Sequence, residues 1–183
     1  PGDKEESTLN FYSQAACVLL TGMVLKEGEK MEFRTMRRFK QQLLEEECIE
    51  VLRSEKRGVL SVMGEGGYPY GMPLNHWYCE EDGKLYFHGA REGHRVDSIQ
   101  KNSKVSYCVY NQGDREPGDW VYHVKSVVVF GEMKLVEDPD KTREICIRLV
   151  KKFTDDQEYL EKELQNALPR VQCFVLTPEH MTG

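Results

Sequence analysis

The segment Tyr86–Asn102, with the sequence YFHGAREGHRVDSIQKN, constrains the fold more than any other part of the chain. Its aromatic start, Tyr86–His88, is typical of the end of a β-strand. Gly89 then permits a sharp bend or a close approach of another group to the backbone. After Gly93, apolar residues spaced by three positions predict one face of a helix. The segment therefore predicts a strand, a glycine turn and a helix in succession.

Two basic residues, His94 and Arg95, fall in the first turn of this predicted helix. A helix start offers unpaired backbone N–H groups and the positive end of the helix dipole. Arginine adds a planar fork of donors that suits a phosphate group. This arrangement is compatible with a phosphate-binding site. It is equally compatible with a simple corner that carries a solvated arginine, and the residues alone leave both interpretations open.

The same segment resembles the phosphate-binding segment of the FMN-binding split-barrel family, the superfamily of pyridoxamine 5′-phosphate oxidase. The closer match is its Nim-like branch, named for nitroimidazole resistance, whose members read roughly YFHGA-x-x-G-K-K-x-D-x-I-x-x-N. The residues in step with that pattern are Tyr86, Phe87, His88, Gly89, Ala90, Gly93, Asp97, Ile99 and Asn102. The chain departs from it at the two basic positions, where Arg95 keeps the charge and His94 is largely neutral at pH 7. The resemblance implies that His88, Gly89, His94 and Arg95 contact FMN.

A glycine-rich turn separates two stretches, Val59–Met63 and Tyr70–Tyr78, that predict a β-hairpin. Pro73 removes one backbone donor from the second strand, so we expect it at an edge, at a bulge or on a ligand face. An edge proline without any function is the simpler alternative.

In the family this second strand lines the isoalloxazine ring, which implies cofactor contacts from Met72, Pro73, Leu74 and Asn75. Consecutive residues of a strand point to opposite faces, so only one of Asn75 and His76 can face the ring. The family pattern favours Asn75.

Two later stretches also resemble the family. Ser126–Gly131 resembles its SV-x-x-x-G sequence, which places Ser126 where relatives often have a polar side chain near the flavin or its phosphate. Glu179–Gly183 resembles its closing E-x-x-TGK sequence without the last basic residue.

Short strands separated by turns, with most helices late in the chain, predict a mainly β domain with flanking helices. The resemblance covers residues 36–183 and implies a six-stranded antiparallel Greek-key split β-barrel that binds FMN. It also implies a homodimer with two FMN sites at the subunit interface. Residues 1–35 are expected to form an N-terminal extension outside this domain.

Composition and motifs exclude several other classes of protein. A net charge of −6 argues against nucleic acid as a partner. The apolar run Phe11–Leu25 is too short and interrupted to span a membrane, and it lacks the basic start of a signal peptide. Six cysteines without a C-x-x-C pair argue against a metal site. We therefore expect a cytoplasmic protein with reduced thiols.

The function implied by the resemblance is FMN-dependent oxidation or reduction of a small organic substrate. The enzyme would be similar to a nitroimidazole reductase or to pyridoxamine 5′-phosphate oxidase. Because the cofactor supplies the redox chemistry, no catalytic dyad is expected, and no catalytic residue is assigned. The alternative is an FMN-binding or haem-binding protein without turnover of its own, acting as a sensor or an electron carrier.

Overall fold

The structure is a computed structural model that describes residues 32–183, of which Thr35–Gly183 form one compact unit. Most of the predicted extension, residues 1–31, lies outside the described residues. The strands are β1 (Arg57–Met63), β2 (Pro69–Asn75), β3 (Trp77–Cys79), β4 (Lys84–Ala90), β5 (Lys104–Tyr110), β6 (Ser126–Val136) and β7 (Val171–Thr182). The α-helices are α1 (Glu45–Ser54), α2 (His94–Lys101), α3 (Pro139–Lys151) and α4 (Gln157–Ala167), and short 3-10 turns lie at Phe39–Gln41 and Glu65–Gly67.

All seven strands belong to one sheet in the order β2-β1-β5-β6-β7-β4-β3, and every neighbouring pair is antiparallel. The predicted mainly β fold with flanking helices is confirmed. The prediction of six strands is wrong by one, because the stretch Tyr70–Tyr78 forms two strands separated by His76. β7 is also longer than predicted and includes the residues up to Thr182.

The two edge strands of the sheet are joined by a single residue. β2 ends at Asn75 at one edge and β3 begins at Trp77 at the other, with only His76 between them. Two residue steps span at most about 7 Å, so the two edges must meet at this point. The sheet is therefore forced to curl on itself into a half-barrel, in which β2 and β3 remain edge strands.

His76 is buried at this junction, with 0% of its surface exposed. Its Nε2 atom lies 2.7 Å from the Leu52 carbonyl oxygen of α1, and its Nδ1 atom lies 3.0 Å from the Tyr107 hydroxyl of β5. Burial, reinforced by the positive charge of Lys152, lowers the pKa of His76 from 6.5 to about 3. The ring is therefore neutral, and its Nε2–H donates to the Leu52 carbonyl oxygen. Nδ1 lies beside the Tyr107 hydroxyl, whose oxygen is also 2.8 Å from the Leu74 carbonyl oxygen, to which it donates. These bonds connect the junction to helix α1 and to the middle of the sheet.

The sheet separates two apolar clusters. The barrel interior contains the largest buried side chains together with one face of α1, and its members include Leu52, Leu60, Phe87, Tyr107, Val129 and Phe174. Helices α3 and α4 cover part of the outer surface, where the second cluster includes Tyr86, Ile145, Cys146, Leu149, Leu160, Leu164 and Cys173. Residues that alternate along β4 and β7 therefore belong to different clusters, as the alternation of side chains along a strand requires.

Gly131 marks a register shift in β6, between the pairs Phe130–His180 and Gly131–Pro178. A Cβ atom at Gly131 would overlap the Thr177 carbonyl oxygen of β7. A residue without a side chain is thus required where the two longest strands bend together.

We expect the protein to lose stability when the hydrogen bonds of His76 are removed. Replacing His76 by leucine introduces an apolar side chain of similar size but leaves the Leu52 carbonyl without its donor. We expect the free energy of unfolding at pH 7 to fall by about 1–3 kcal/mol, measured by urea denaturation. The control is His123→Leu at an exposed position, which should change it by no more than about 0.5 kcal/mol.

The pH dependence gives a second readout of the same variant. Below pH 6.5 the unfolded chain protonates His76, whereas the folded chain resists protonation until about pH 3. The contribution of the neutral His76 to the free energy of unfolding is fully present above pH 6.5. It decreases as the pH drops below that value, by up to about 1.4 kcal/mol per pH unit. His76→Leu should therefore show a shallower loss of stability than wild type between these values. Parallel curves would contradict a histidine that is neutral in the folded state.

Candidate functional site

Helix α2 begins at His94, directly after the turn that ends β4. Gly93 has φ of 116°, a conformation that favours glycine, and it carries no side-chain cap for the helix. The first-turn N–H groups therefore have no capping side chain, and they lie at the positive end of the helix dipole. This helix start has the properties of an anion-binding site.

The Arg95 side chain lies against the end of β4. A Cβ atom at Gly89 would overlap the Arg95 guanidinium, whose central carbon lies 4.9 Å from the centre of the Phe174 ring. Among the described residues, the Arg95 Nε atom is the buried side-chain nitrogen that lacks a hydrogen-bond partner. Burial lowers the pKa of Arg95, but an arginine remains protonated in proteins.

A half-buried, charged guanidinium whose Nε atom lacks a hydrogen-bond partner fits a phosphate group. The bare backbone at Gly89 leaves room for the guanidinium, and the uncapped start of α2 supplies further donors. The residues present therefore fit the phosphate of a nucleotide cofactor.

His94 is fixed by the turn between β1 and β2 rather than by a neighbouring charge. Its ring stacks on Tyr70 with centroids 4.2 Å apart, and its Nε2 atom accepts a hydrogen bond of 3.4 Å from the Glu65 backbone N–H. The ring thus connects α2 to the first residues of β2. Sequence reasoning did not identify Tyr70 or Glu65, because their relation to His94 depends on contacts between residues more than twenty positions apart.

The His88 side chain lies on the other face of β4 from the Arg95 contact. His88 pairs directly with Cys173, which belongs to the cluster under α3 and α4, whereas the Phe174 ring beneath Arg95 belongs to the barrel interior. Partial desolvation and, secondly, the charge of Arg95 lower the pKa of His88. His88 is consequently a neutral and still exposed side chain at pH 7.

The four predicted residues of β2 divide between two faces. Met72 and Leu74 pack against the barrel core, whereas Pro73 is exposed and Asn75 lies opposite Arg57 on the outer face. β2 is an edge strand, which confirms the edge position expected for Pro73. Pro73 lines a surface cleft of about 650 Å³ whose other walls include Arg57, Val59, Tyr110 and Asn111.

Ser126 is the first residue of β6, and it is exposed opposite Tyr110. It lines a second cleft of about 610 Å³, which also contains Gly183 and shares Asn111 with the cleft beside Pro73. The structure therefore places Pro73 and Ser126 in neighbouring clefts.

The predicted site residues thus form two groups. Gly89, His94 and Arg95 lie together at the start of α2, while Pro73 and Ser126 line the two clefts and Asn75 lies opposite Arg57, a wall residue of the first cleft. β2 joins the groups, because it runs from Tyr70, stacked on His94, to Asn75, a distance of about 17 Å for five strand residues.

Among the described residues, no helix has the length and apolar character needed to cross a membrane. No group of three or more histidine, cysteine or carboxylate side chains in this part of the chain is arranged to bind a metal ion.

Comparison of the sequence with known families gives one match that covers most of the chain. The sequence model of a family described as pyridoxamine 5′-phosphate oxidase matches residues 45–183. None of the curated protein sequences matches the chain.

Solved structures with a similar fold extend this comparison. A protein of Bacteroides thetaiotaomicron named for 5-nitroimidazole antibiotic resistance is 19% identical, with a TM-score of 0.63 over 77% of this chain and 84% of that one. A FAD-binding protein of Mesorhizobium loti is 23% identical, with a TM-score of 0.55 over 78% and 93% of the two chains. A flavocytochrome of Azotobacter vinelandii is 15% identical, with a TM-score of 0.61 over 81% and 71%.

Proposed function

Because the chain belongs to the pyridoxamine 5′-phosphate oxidase family, we propose that it is an FMN-dependent oxidoreductase acting on a small organic substrate. The family resemblance predicted from the sequence is thereby confirmed, and similar folds include a protein named for nitroimidazole resistance. The observation that carries the proposal is the Arg95 guanidinium, which lies half-buried over Gly89 with its buried Nε atom left without a hydrogen-bond partner.

Arg95 binds the FMN phosphate in this proposal. It donates from its guanidinium while the backbone N–H groups at the start of α2 donate from the other side. His94 contributes less charge, and its stacking on Tyr70 holds the helix start against β2. Gly89 keeps the backbone clear beneath the guanidinium, whereas the His88 side chain lies on the other face of the same strand.

In this proposal the residues of β2 would hold the ring of the cofactor. Met72 and Leu74 have their side chains in the core, so in this proposal they would contact the ring only through their main chain at the edge of the sheet. The Leu74 carbonyl oxygen is held there by a hydrogen bond of 2.8 Å from the Tyr107 hydroxyl. Pro73 and Asn75 face outward, and the Asn75 amide can donate to and accept from a polar ring edge. When bound, FMN supplies the redox chemistry, whereas the protein supplies binding, orientation and electrostatics.

The substrate binds beside the ring, in the clefts that contain Pro73 and Ser126. A nitroimidazole or a pyridoxine-like compound is the first substrate to test, given the family and the resistance protein of similar fold. A cytoplasmic location and the lack of a nucleic-acid partner stay predictions.

We further propose that the protein is a homodimer whose interface completes each FMN site. Pro73, Val59, Cys108 and Val128 occupy one row across four strands, on the face opposite to the barrel interior. Such a row on an open sheet surface suits burial against a second copy.

Assembly can be measured directly. We expect light scattering of the purified protein to give about twice the chain mass of 21.3 kDa. A monomer that holds flavin tightly would refute the shared site, although not flavin binding itself.

The absorption spectrum of the purified protein shows which cofactor it binds, and a turnover assay shows whether it is an enzyme. We expect flavin absorption, release of FMN rather than FAD on denaturation, and oxidation of NAD(P)H in the presence of a nitro compound. A haem Soret band, or a flavin that is reduced without turnover, would favour the alternative of a sensor or electron carrier.

Arg95→Ala is expected to weaken FMN binding by about 1.5–3 kcal/mol, the range for a hydrogen bond to a charged group. Titration of the apoprotein, followed by quenching of flavin fluorescence, measures the affinity. His94→Ala should weaken FMN binding by less than this, because His94 contributes stacking rather than a fixed charge.

Arg91→Ala is the matched control, since it removes the same charge four residues earlier, where the Arg91 Nε atom donates to the Val171 carbonyl oxygen at 3.3 Å. Its FMN affinity should remain close to that of wild type. Equal losses in Arg91→Ala and Arg95→Ala would show that only the overall charge matters, and no loss in either would remove Arg95 from the site.

A further inference from the structure

Two cysteine thiols meet between helix α3 and the sheet. The Cys146 and Cys173 sulfur atoms lie 4.0 Å apart, and both residues are buried, with 6% and 0% of their surfaces exposed. Both are free cysteines. A disulfide requires the two sulfur atoms at about 2.05 Å, so bond formation needs an approach of about 2 Å.

The surroundings hold both thiols in position. Cys173 lies in β7 between β4 and β6, paired with His88 on one side and with Val136 on the other. Its sulfur atom also lies 3.8 Å from the Thr142 carbonyl oxygen, one helical turn before Cys146. Cys173 therefore faces the surface of α3 on which Cys146 lies.

Among the five cysteines in the described part of the chain, only these two have their sulfur atoms in contact. Cys48 is equally buried, but it lies in the barrel cluster beneath α1. Cys79 belongs to the same cluster as the pair, and its thiol interacts with Asp82. The flavin site proposed above uses none of these thiols.

We propose that Cys146 and Cys173 form a reversible disulfide when the protein meets a low-molecular-weight disulfide, and that this bond fastens α3 to β7. The pair is a redox-modification site that is separate from the proposed flavin chemistry. Under reducing conditions both residues remain thiols, in agreement with the expectation for the chain as a whole.

The reaction proceeds in two exchanges. The Cys146 thiolate attacks glutathione disulfide, which forms a mixed disulfide at Cys146 and releases one glutathione thiolate. The Cys173 thiolate then attacks the Cys146 sulfur atom and releases the second glutathione. The two cysteines lose two electrons to the glutathione disulfide, and their two protons pass to the released glutathione thiolates.

Cys146 is the first nucleophile in this sequence. The contact between the two sulfur atoms lowers the pKa of Cys146 and raises that of Cys173, and Cys146 is also the more exposed of the two, at 6% against 0%. Since the thiolate is the attacking form, Cys146 reacts first and Cys173 resolves the mixed disulfide.

The bond has a measurable consequence for stability. It would close a loop that contains the whole of α4, because the cysteines are 27 residues apart. Restricting the unfolded chain in this way is expected to raise Tm by about 5–10 °C for a protein of this size.

The test uses the full-length protein as purified, equilibrated in glutathione buffers from fully reducing to fully oxidising. A sub-denaturing concentration of urea is added in one series, so that α3 opens often enough for the buried thiols to react. Remaining thiols are alkylated with N-ethylmaleimide, and proteolysis followed by mass spectrometry locates the cross-links. We expect two of the six cysteines to escape alkylation and one peptide pair to join Cys146 with Cys173.

Matched variants separate this pair from other thiols. Cys146→Ala and Cys173→Ala should each abolish the cross-link and the rise in Tm, whereas Cys48→Ala should keep both. The proposal is overturned if both thiols stay alkylated at every ratio with urea present, or if the reaction stops at a glutathione adduct. A cross-link to Cys79, or an oxidised form that melts at a lower temperature than the reduced form, would overturn it as well.

Discussion

A single buried residue determines the shape of this molecule. His76 is the whole connection between β2 and β3, which lie at opposite edges of a seven-stranded sheet. A connection of that length brings the edges together at this point, so the sheet has to curl. The buried imidazole then needs partners for both nitrogens, because a polar group without them would destabilise the core. It finds them in the Leu52 carbonyl of α1 and the Tyr107 hydroxyl of β5, and closure of the barrel thereby fixes the helix that covers its end.

The curled sheet also determines on which of its faces each functional group lies. Because successive residues of β4 face opposite sides of the sheet, the bare backbone of Gly89 contacts Arg95, whereas the His88 side chain lies on the face of the outer helices. The next strand repeats the division, since Phe174 supports Arg95 from the barrel interior and Cys173 meets Cys146 beneath α3. Adjacent residues thus serve a proposed anion site on one face and a thiol pair on the other. Closure further places β2 next to the start of α2, where Tyr70 stacks on His94.

The sequence determined the parts of this protein that depend on local order. The strand, glycine turn and helix around Tyr86–Asn102 were predictable, because alternation, glycine position and helical spacing are local properties. The hairpin between β1 and β2 and the edge position of Pro73 followed from the same kind of signal. The motif that resembles the flavin-binding family is a continuous segment, so the family could be recognised before any contact was known. The roles predicted for individual residues within it remain predictions.

Only the tertiary structure decided which distant residues meet. The alternation of apolar and polar residues along a strand does not show that β2 and β3 lie at opposite edges of the sheet. The residues around His76 were therefore predicted as one continuous strand, and the predicted number of strands was one too low. It also cannot say that the Arg95 guanidinium turns back over Gly89 and loses a partner for its Nε atom. The partners of His76 and the contact between Cys146 and Cys173 join residues 24 to 31 positions apart. Such contacts are set by which strands pair and how far the sheet curls, and these depend on packing of the whole core rather than on any local pattern.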